Sequence, residues 1–382
     1  MGGTSIDAVH LPGPGAPLDA VRIANHGMDR AAAIAGARRV LTSSRDPGSV
    51  WSAVLVLGYA GEVDEAARHC DRARSCATGR WAGAFALLDG RLAWLRGDPA
   101  GASALLGDAM DRGVAPSSRA VATAWRLAAL VDLGELDGAQ DLLVSQDYDG
   151  QVEGEPELVA ARGALRFANG DWGAACEDFL AAGREFVARG VVNPAVAPWR
   201  SRAALSAHSL GRHGLAGALA RQELVAARRW GTARANGIAA YAVAVVSGGD
   251  AQALRHAAEL LANGQVSGDL FGARYDLALA SGAGAEAGEL LEETALAAEE
   301  AGFRRWAAMA RSAAARVTRP GAALTRQERR IAALARAGQG NREIAERQSV
   351  TLRTVEFHLS SVYRKLGISG RGELAAIPVP LP

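Results

Sequence analysis

Between Asp19 and Ala315 apolar residues recur at three- and four-residue spacing, in runs of 12 to 20 residues cut by glycine or proline. Strand-type alternation is nearly absent. That period predicts helix after helix, each with one face to bury. Residues 1–17 are rich in glycine and proline and predict a disordered tail. Residues 18–315 predict a helical-repeat domain, and residues 316–323, RVTRPGAA, a linker in which Pro320 and Gly321 end the last repeat helix. Residues 324–376 predict a separate head of four short helices, followed by a tail over 377–382.

A single spacing repeats along the long helical stretch. A glycine followed five residues later by an alanine occurs at Gly61/Ala66, Gly97/Ala102, Gly134/Ala139, Gly170/Ala175, Gly211/Ala216, Gly248/Ala253 and Gly282/Ala287, in steps of 34 to 41 residues. Each glycine follows an apolar helical stretch, and Glu62, Asp98, Glu135 and Asp171 come directly after four of them. The physical reading is a helical hairpin. Glycine takes the left-handed position that ends the first helix, the acidic residue sits at the positive start of the second, and alanine lets the two backbones approach. Hairpins of this length stack into an α-solenoid. The offset and period over residues 49–315 resemble tetratricopeptide repeats, although the aromatic and proline positions of that family are mostly missing. The fold class expected is therefore all-α.

The head has its own signals. Thr325 to Glu328 forms a capping box for a helix that carries Ile331, Leu334 and Ala335 on one side. Gly338 and Gly340 stop it, Asn341 is placed to cap a second helix with Ile344 and Ala345 inward, and Thr351 to cap a third. In the third helix Val355, Leu359, Val362 and Leu366 share one stripe at 100° per residue. Arg353, Phe357, Ser360, Ser361 and Arg364 lie opposite, with Glu356 and His358 at the flanks. Gly367 ends the helix, and residues 371–376 make a short fourth one. An outward ring that can touch a thymine methyl, hydroxyls, and cations for phosphate are what a groove-reading face needs.

The order LTRQERRI, GQGNREIAE, TVEFHLSSVYRKLGI is similar to the LuxR-type helix-turn-helix domain over about fifty residues. The resemblance implies four helices, the third in the major groove of double-stranded DNA and the fourth often supporting dimerisation. It puts Glu356, Phe357 and Ser360 where that family commonly contacts bases. Thr354, His358, Arg364 and Lys365 would contact the DNA backbone or act as supports, and Asn341 would contact phosphate or hold structure. Thr354 equally suits a structural place in the turn. This chain departs from the pattern at Glu356, where relatives often carry lysine, and at Gln339 and Gln348, where apolar residues are usual. Gly370 and Gly372 predict a frayed last helix.

Composition sharpens the division. Lys plus Arg number 42 and Asp plus Glu 41. From Arg319 to Leu374, however, ten arginines and Lys365 face five glutamates, so the head is basic and the rest of the chain mildly acidic. Lys365 is the only lysine, which leaves no residue for a Walker A loop outside the head. Three cysteines fit a reducing compartment. With no run of about 18 apolar residues and no signal-peptide pattern, a cytoplasmic protein away from membranes is expected. Gly282 to Ala287 matches a dinucleotide fingerprint but coincides with a repeat turn. His69, Cys70 and Cys76 could suggest a metal, yet on a helix the two thiols diverge, and buried cysteine is the reading. The eight tryptophans read as repeat core rather than as a ligand cage. The chain resembles the C-terminal part of large ATP-binding LuxR-type regulators, without their nucleotide domain. It is expected to need no cofactor, to catalyse nothing, and to bind a protein or small-molecule effector on its repeats, with a homodimer possible on DNA. The alternative is a repeat adaptor whose head makes only protein contacts.

Overall fold

A computed structural model describes residues 17–146, 155–265, 267–282, 285–317, 324, 326–348, 350–366, 368 and 370–374. The expected tails and most of the expected linker lie outside these residues. Among the described residues every regular element is helical. The chain divides into two compact units, residues 1–277 with 297–307, and residues 278–296 with 308–382.

The helices come in antiparallel pairs. α1 (Pro17–His26) and α2 (Arg30–Ser43) precede the repeats, so Pro17 belongs to a helix and not to the expected tail. Then follow α3 (Pro47–Tyr59) with α4 (Val63–Cys76), α5 (Arg80–Leu95) with α6 (Pro99–Asp111), and α7 (Arg119–Leu133) with α8 (Leu136–Ser145). After these come α9 (Pro156–Ala168) with α10 (Trp172–Ala188), α11 (Trp199–Ser209) with α12 (His213–Trp230), and α13 (Ala233–Val246) with α14 (Ala251–Ala262). α15 (Gly268–Ala280), α16 (Ala285–Glu300) and α17 (Arg304–Val317) complete the series. Arg316 and Val317, expected in the linker, extend α17 because nothing before residue 318 interrupts its alanine-rich helical run.

All seven repeat glycines are left-handed, from φ +76° at Gly211 to +109° at Gly248. The amide after Gly61, Gly97, Gly134, Gly170, Gly211 and Gly248 donates to the carbonyl five residues back, for example Glu62 to Leu57 at 2.9 Å, which is a Schellman ending. Asp98 and Asp171 accept from the amides of Gly101 and Ala174 and so cap the second helix. Glu62 and Glu135, one methylene longer, make no such bond and accept instead from Arg30 and Arg304. Six of the seven alanines are buried; Ala253 is exposed. There Gly249, also left-handed at φ +73°, lengthens the turn by one residue, so the next residue, Leu254, is the one buried.

In the first unit the pairs coil far enough to meet again. Trp230 Nε1 donates to the Tyr59 carbonyl at 2.9 Å, and Asn193 Nδ2 to the Ala24 carbonyl at 2.7 Å. Arg305 Nη2 likewise reaches the Ala168 carbonyl at 3.1 Å. These bonds, between residues far apart in sequence, close one turn of the superhelix.

The head comprises α18 (Arg326–Arg336), α19 (Asn341–Gln348), α20 (Leu352–Leu366) and α21 (Arg371–Leu374). Its core joins Ile331, Ala335, Ile344, Val355, Leu359, Val362 and Leu374. Each of these helices is too short to stand alone in water, and an apolar set drawn from all four is what holds them together.

Candidate nucleic-acid interface and the cavity of the repeats

Thr351 caps α20: its hydroxyl accepts from the Thr354 amide at 3.1 Å and lies 2.7 Å from the Thr354 hydroxyl. The stripe expected on α20 is the buried one, with Val355 and Val362 fully enclosed. Arg353, Glu356, Phe357, Ser360 and Arg364 are exposed, and Phe357 leaves 71% of its surface open. An aromatic ring that exposed on a folded helix gains nothing from the core. His358, half-buried, meets the Phe357 ring edge-on at 5.8 Å.

Two of the residues predicted to face DNA turn inward along a third side of α20. Ser361 Oγ donates to Glu328 Oε1 at 2.7 Å, and Lys365 Nζ to Glu328 Oε2 at 2.6 Å. Glu328 is buried on α18, so this carboxylate ties α18 to α20; Thr325, the other half of the expected capping box, lies outside the described residues. Asn341 does not cap α19. Gly340 occupies the cap position, the Ile344 amide donating to its carbonyl, and Glu343 reaches back to the Gly340 amide at 2.8 Å. The Asn341 Oδ1 instead accepts from Arg371 at 3.3 Å. Arg371 also donates to the carbonyls of Ala335 and Gln339, closing the end of α18. With Leu374 buried, that latch holds the four residues of α21, Gly372 among them, to the rest of the head; residues 375–376 of the expected fourth helix lie outside the described residues. The Gln339 Oε1 is buried with no partner, the packing cost expected of an amide at an apolar position. Gly367 lies outside the described residues.

The first unit holds a cavity of about 390 Å³, walled by the first helix of successive pairs and by the start of α17. Trp94, Trp125, Trp199 and Trp306 line it. The expectation that the tryptophans form repeat core holds for Trp51, Trp125 and Trp230, which are buried, and is corrected for Trp94, Trp199 and Trp306, which are only half-buried where they line the cavity, and for Trp172, which is exposed. The correction has a simple cause. A solenoid helix has two apolar-looking faces, one against its partner and one toward the concave side, and periodicity does not distinguish them.

Charged groups reach the same cavity. Arg202 and Asp269 form a bidentate pair at 2.6 and 2.9 Å. Trp94 Nε1 donates to Asp132 at 2.8 Å and the Tyr241 hydroxyl to Asp276 at 2.7 Å. Burial pushes Asp132 up to about 6 and Glu157 up to about 7. Sequence reasoning missed all of these. The signal was present: Arg91, Asp132, Arg202, Arg234 and Asp269 each interrupt a first helix that is otherwise mostly small and apolar. Cys70 and Cys176 are buried and Cys76 exposed, and among the described residues no group of three metal-ligating side chains converges. Nor is any described helix long and apolar enough to cross a membrane.

Residues 322–377 match the family described as GerE, bacterial regulatory proteins, luxR family, so the head is a LuxR-family helix-turn-helix domain. No curated protein matches the chain. Among solved structures it is similar to the crystal structure of the APC/C hetero-tetramer Cut9-Hcn1, at 13% identity and a TM-score of 0.44, over 73% of this chain and 48% of that one. It is similar too to the crystal structure of Rap protein complexed with competence and sporulation factor, at 15% identity and a TM-score of 0.48, over 80% of this chain and 81% of that one. The chain thus spans about half the length of the first of these.

Proposed function

We propose that the chain is a cytoplasmic transcription regulator. Its head binds double-stranded DNA through α20, and its repeats take up an effector in their cavity and so set how the heads meet their site, singly or as a homodimer. It works by binding alone, with no cofactor and no catalysis. The observation that carries the reading is the outward face of α20 in a LuxR-family head: Phe357 exposed beside Arg353, Glu356, Ser360 and Arg364, over a stripe that is buried. In this reading Glu356, Phe357 and Ser360 meet base edges, while Arg353 and Arg364 meet phosphate. Ser361 and Lys365 support the helix through Glu328, Thr354 and His358 hold its edge, and Asn341 holds α21 through Arg371.

The test is selection of bound duplexes by the full chain, followed by titration of the best site at several salt concentrations. Expected is an affinity that falls steeply with salt, with Arg353→Ala and Arg364→Ala each reducing the slope by about 1. Phe357→Ala is expected to relax sequence preference while leaving the slope unchanged. Binding that is absent, or insensitive to salt and to these substitutions, would refute the regulator and favour a repeat adaptor with a head that contacts only protein.

A further inference from the structure

The cavity of the repeats differs from a plain apolar slot in how its polar atoms are matched. Arg202 with Asp269, Tyr241 with Asp276, and Trp94 with Asp132 satisfy one another, and Arg305 is taken by the Ala168 carbonyl. What is left over is lopsided. Arg91 Nε, Arg234 Nη1 and Trp199 Nε1 are buried donors without an acceptor, against one such acceptor, Glu157 Oε1. Arg91 is only 9% exposed, its guanidinium enclosed by the rings of Tyr59, Trp94 and Trp125, and a buried donor left unmet calls for an explanation.

The two unmet arginines converge on one ring. The Arg91 and Arg234 guanidinium carbons lie 4.4 and 4.6 Å from the Trp94 ring centroid, although they come from α5 and α13. Stacking on an aromatic face fixes a guanidinium plane and leaves its edge, the part that pairs with a carboxylate or phosphate, free to meet one. The pair also sits at a junction, since a second cavity of about 360 Å³ shares Arg91, Trp94, Arg202 and Arg234 with the first. The rest of the first cavity offers flat apolar walls, among them Trp125, Phe167 and Trp306. Its volume suits a small molecule rather than a folded partner. The neighbouring carboxylates oppose an anion less than their number implies, because burial holds Glu157 partly protonated near neutral pH.

We infer that the cavity binds a small organic anion with a flat apolar body, its carboxylate or phosphate taken up by Arg91 and Arg234 beside Trp94, with the Trp199 indole N–H as a further donor. This names the effector class of the regulator proposed above and rests on that reading only for its consequence at DNA. The test uses the full chain without DNA. Indole-3-acetate, 2-naphthoate, phenyl phosphate and inorganic phosphate are titrated by calorimetry and tryptophan fluorescence, beside the neutral indole-3-acetamide and the cationic tryptamine. Expected is saturable binding, one per chain, of an aromatic carboxylate or of phenyl phosphate, whichever source of the anionic group the site prefers. The neutral amide is expected at least tenfold weaker and tryptamine and inorganic phosphate weaker still. Arg91→Gln and Arg234→Gln should each lose at least tenfold in affinity. Trp199→Phe, which keeps an aromatic ring and removes the donor, should lose about threefold with the helical circular dichroism unchanged, so a folding defect in the arginine variants does not decide the matter. Saturable binding by none of the anions, equal binding of acid and amide, preference for tryptamine, or indifference to all three substitutions overturns the inference. Because no DNA enters the measurement, a head that fails to bind duplex leaves this result standing, and a cavity that fails to bind an anion leaves the head's reading intact.

Discussion

Glu328→Gln removes a carboxylate that ties α18 to α20. Its side chain is 6% exposed and that of Lys365 21%, with 2.6 Å between oxygen and nitrogen. Breaking a buried ion pair costs about 3–5 kcal/mol when the orphaned charge stays buried. Here the lysine stem is long enough to carry its ammonium toward water, and glutamine keeps an acceptor for Ser361, so about 1–2 kcal/mol is expected. Lys365 is the chain's only lysine, so an amine-reactive ester followed by peptide mass mapping reads its accessibility without interference from other side chains. At one decade per 1.4 kcal/mol, labelling of Lys365 should accelerate roughly 5- to 30-fold in the variant. Glu346→Gln, at an exposed site on α19, serves as the control and should change nothing. A rate within twofold of the parent would mean that the pair does not hold the helices together, and the assignment of Ser361 and Lys365 as supports would fall with it.

Two further outcomes test the repeats. A Cβ at Gly183 would stand 2.4 Å from the Trp199 ring, so Gly183→Ala must displace a cavity wall; a loss of about 1–3 kcal/mol in urea unfolding and a shifted tryptophan emission are expected, and an unchanged midpoint would contradict the packing. Glu223 is fully buried, and burial raises it from 4.5 to about 7 although Arg200 and the Ser201 amide stand at 3.3 and 3.2 Å. The folded state then holds the proton more tightly than the unfolded one, so this group favours folding most below its ordinary pKa, and that contribution is lost as pH climbs toward 7. Stability measured by urea should therefore drop by a few kcal/mol between pH 5 and 8, and Glu223→Gln should make the drop smaller, leaving the part that Asp132 and Glu157 contribute; a variant with the parent's pH profile would show that Glu223 titrates normally.

Local features were legible because their physics is local. A glycine that must end a helix left-handed is followed at fixed distance by the next helix, so the repeat period appears in the chain itself, down to the Gly248–Gly249 pair, where one added residue moves the buried position from Ala253 to Leu254. The stripe of α20 follows from 100° per residue alone. A helical wheel, however, fixes directions only about its own axis. It puts Ser361 near the outward face, but where α18 lies is set by a packing whose partner, Glu328, is 33 residues away.

The cavity was illegible for a related reason, and that reason bears on its use. Its arginines and carboxylates are spread over helices from Arg91 to Arg305, so apart from Arg91 with Trp94 the groups that meet come from separate helices. Seen singly, Arg91 in RLAWL or Arg234 in ARANGI is an arginine on a helix and invites the reading of a solvated face. Yet in a repeat protein each hairpin needs only its neighbours to fold, and although Arg91 lies over the Tyr59 and Trp125 rings of the two neighbouring pairs, its Nε finds no acceptor among them. Arg234, by contrast, is set on the Trp94 ring several repeats away, a partner that exists only once the superhelix has closed. Charges that burden each hairpin and complete one another only in the closed turn are poor devices for stability and good ones for binding, because a ligand that satisfies Arg91 and Arg234 together also joins α5 to α13. A ligand of that kind would favour the closed turn by its differential affinity for it, which is the physical route by which the occupied cavity can bias the shape of the repeats.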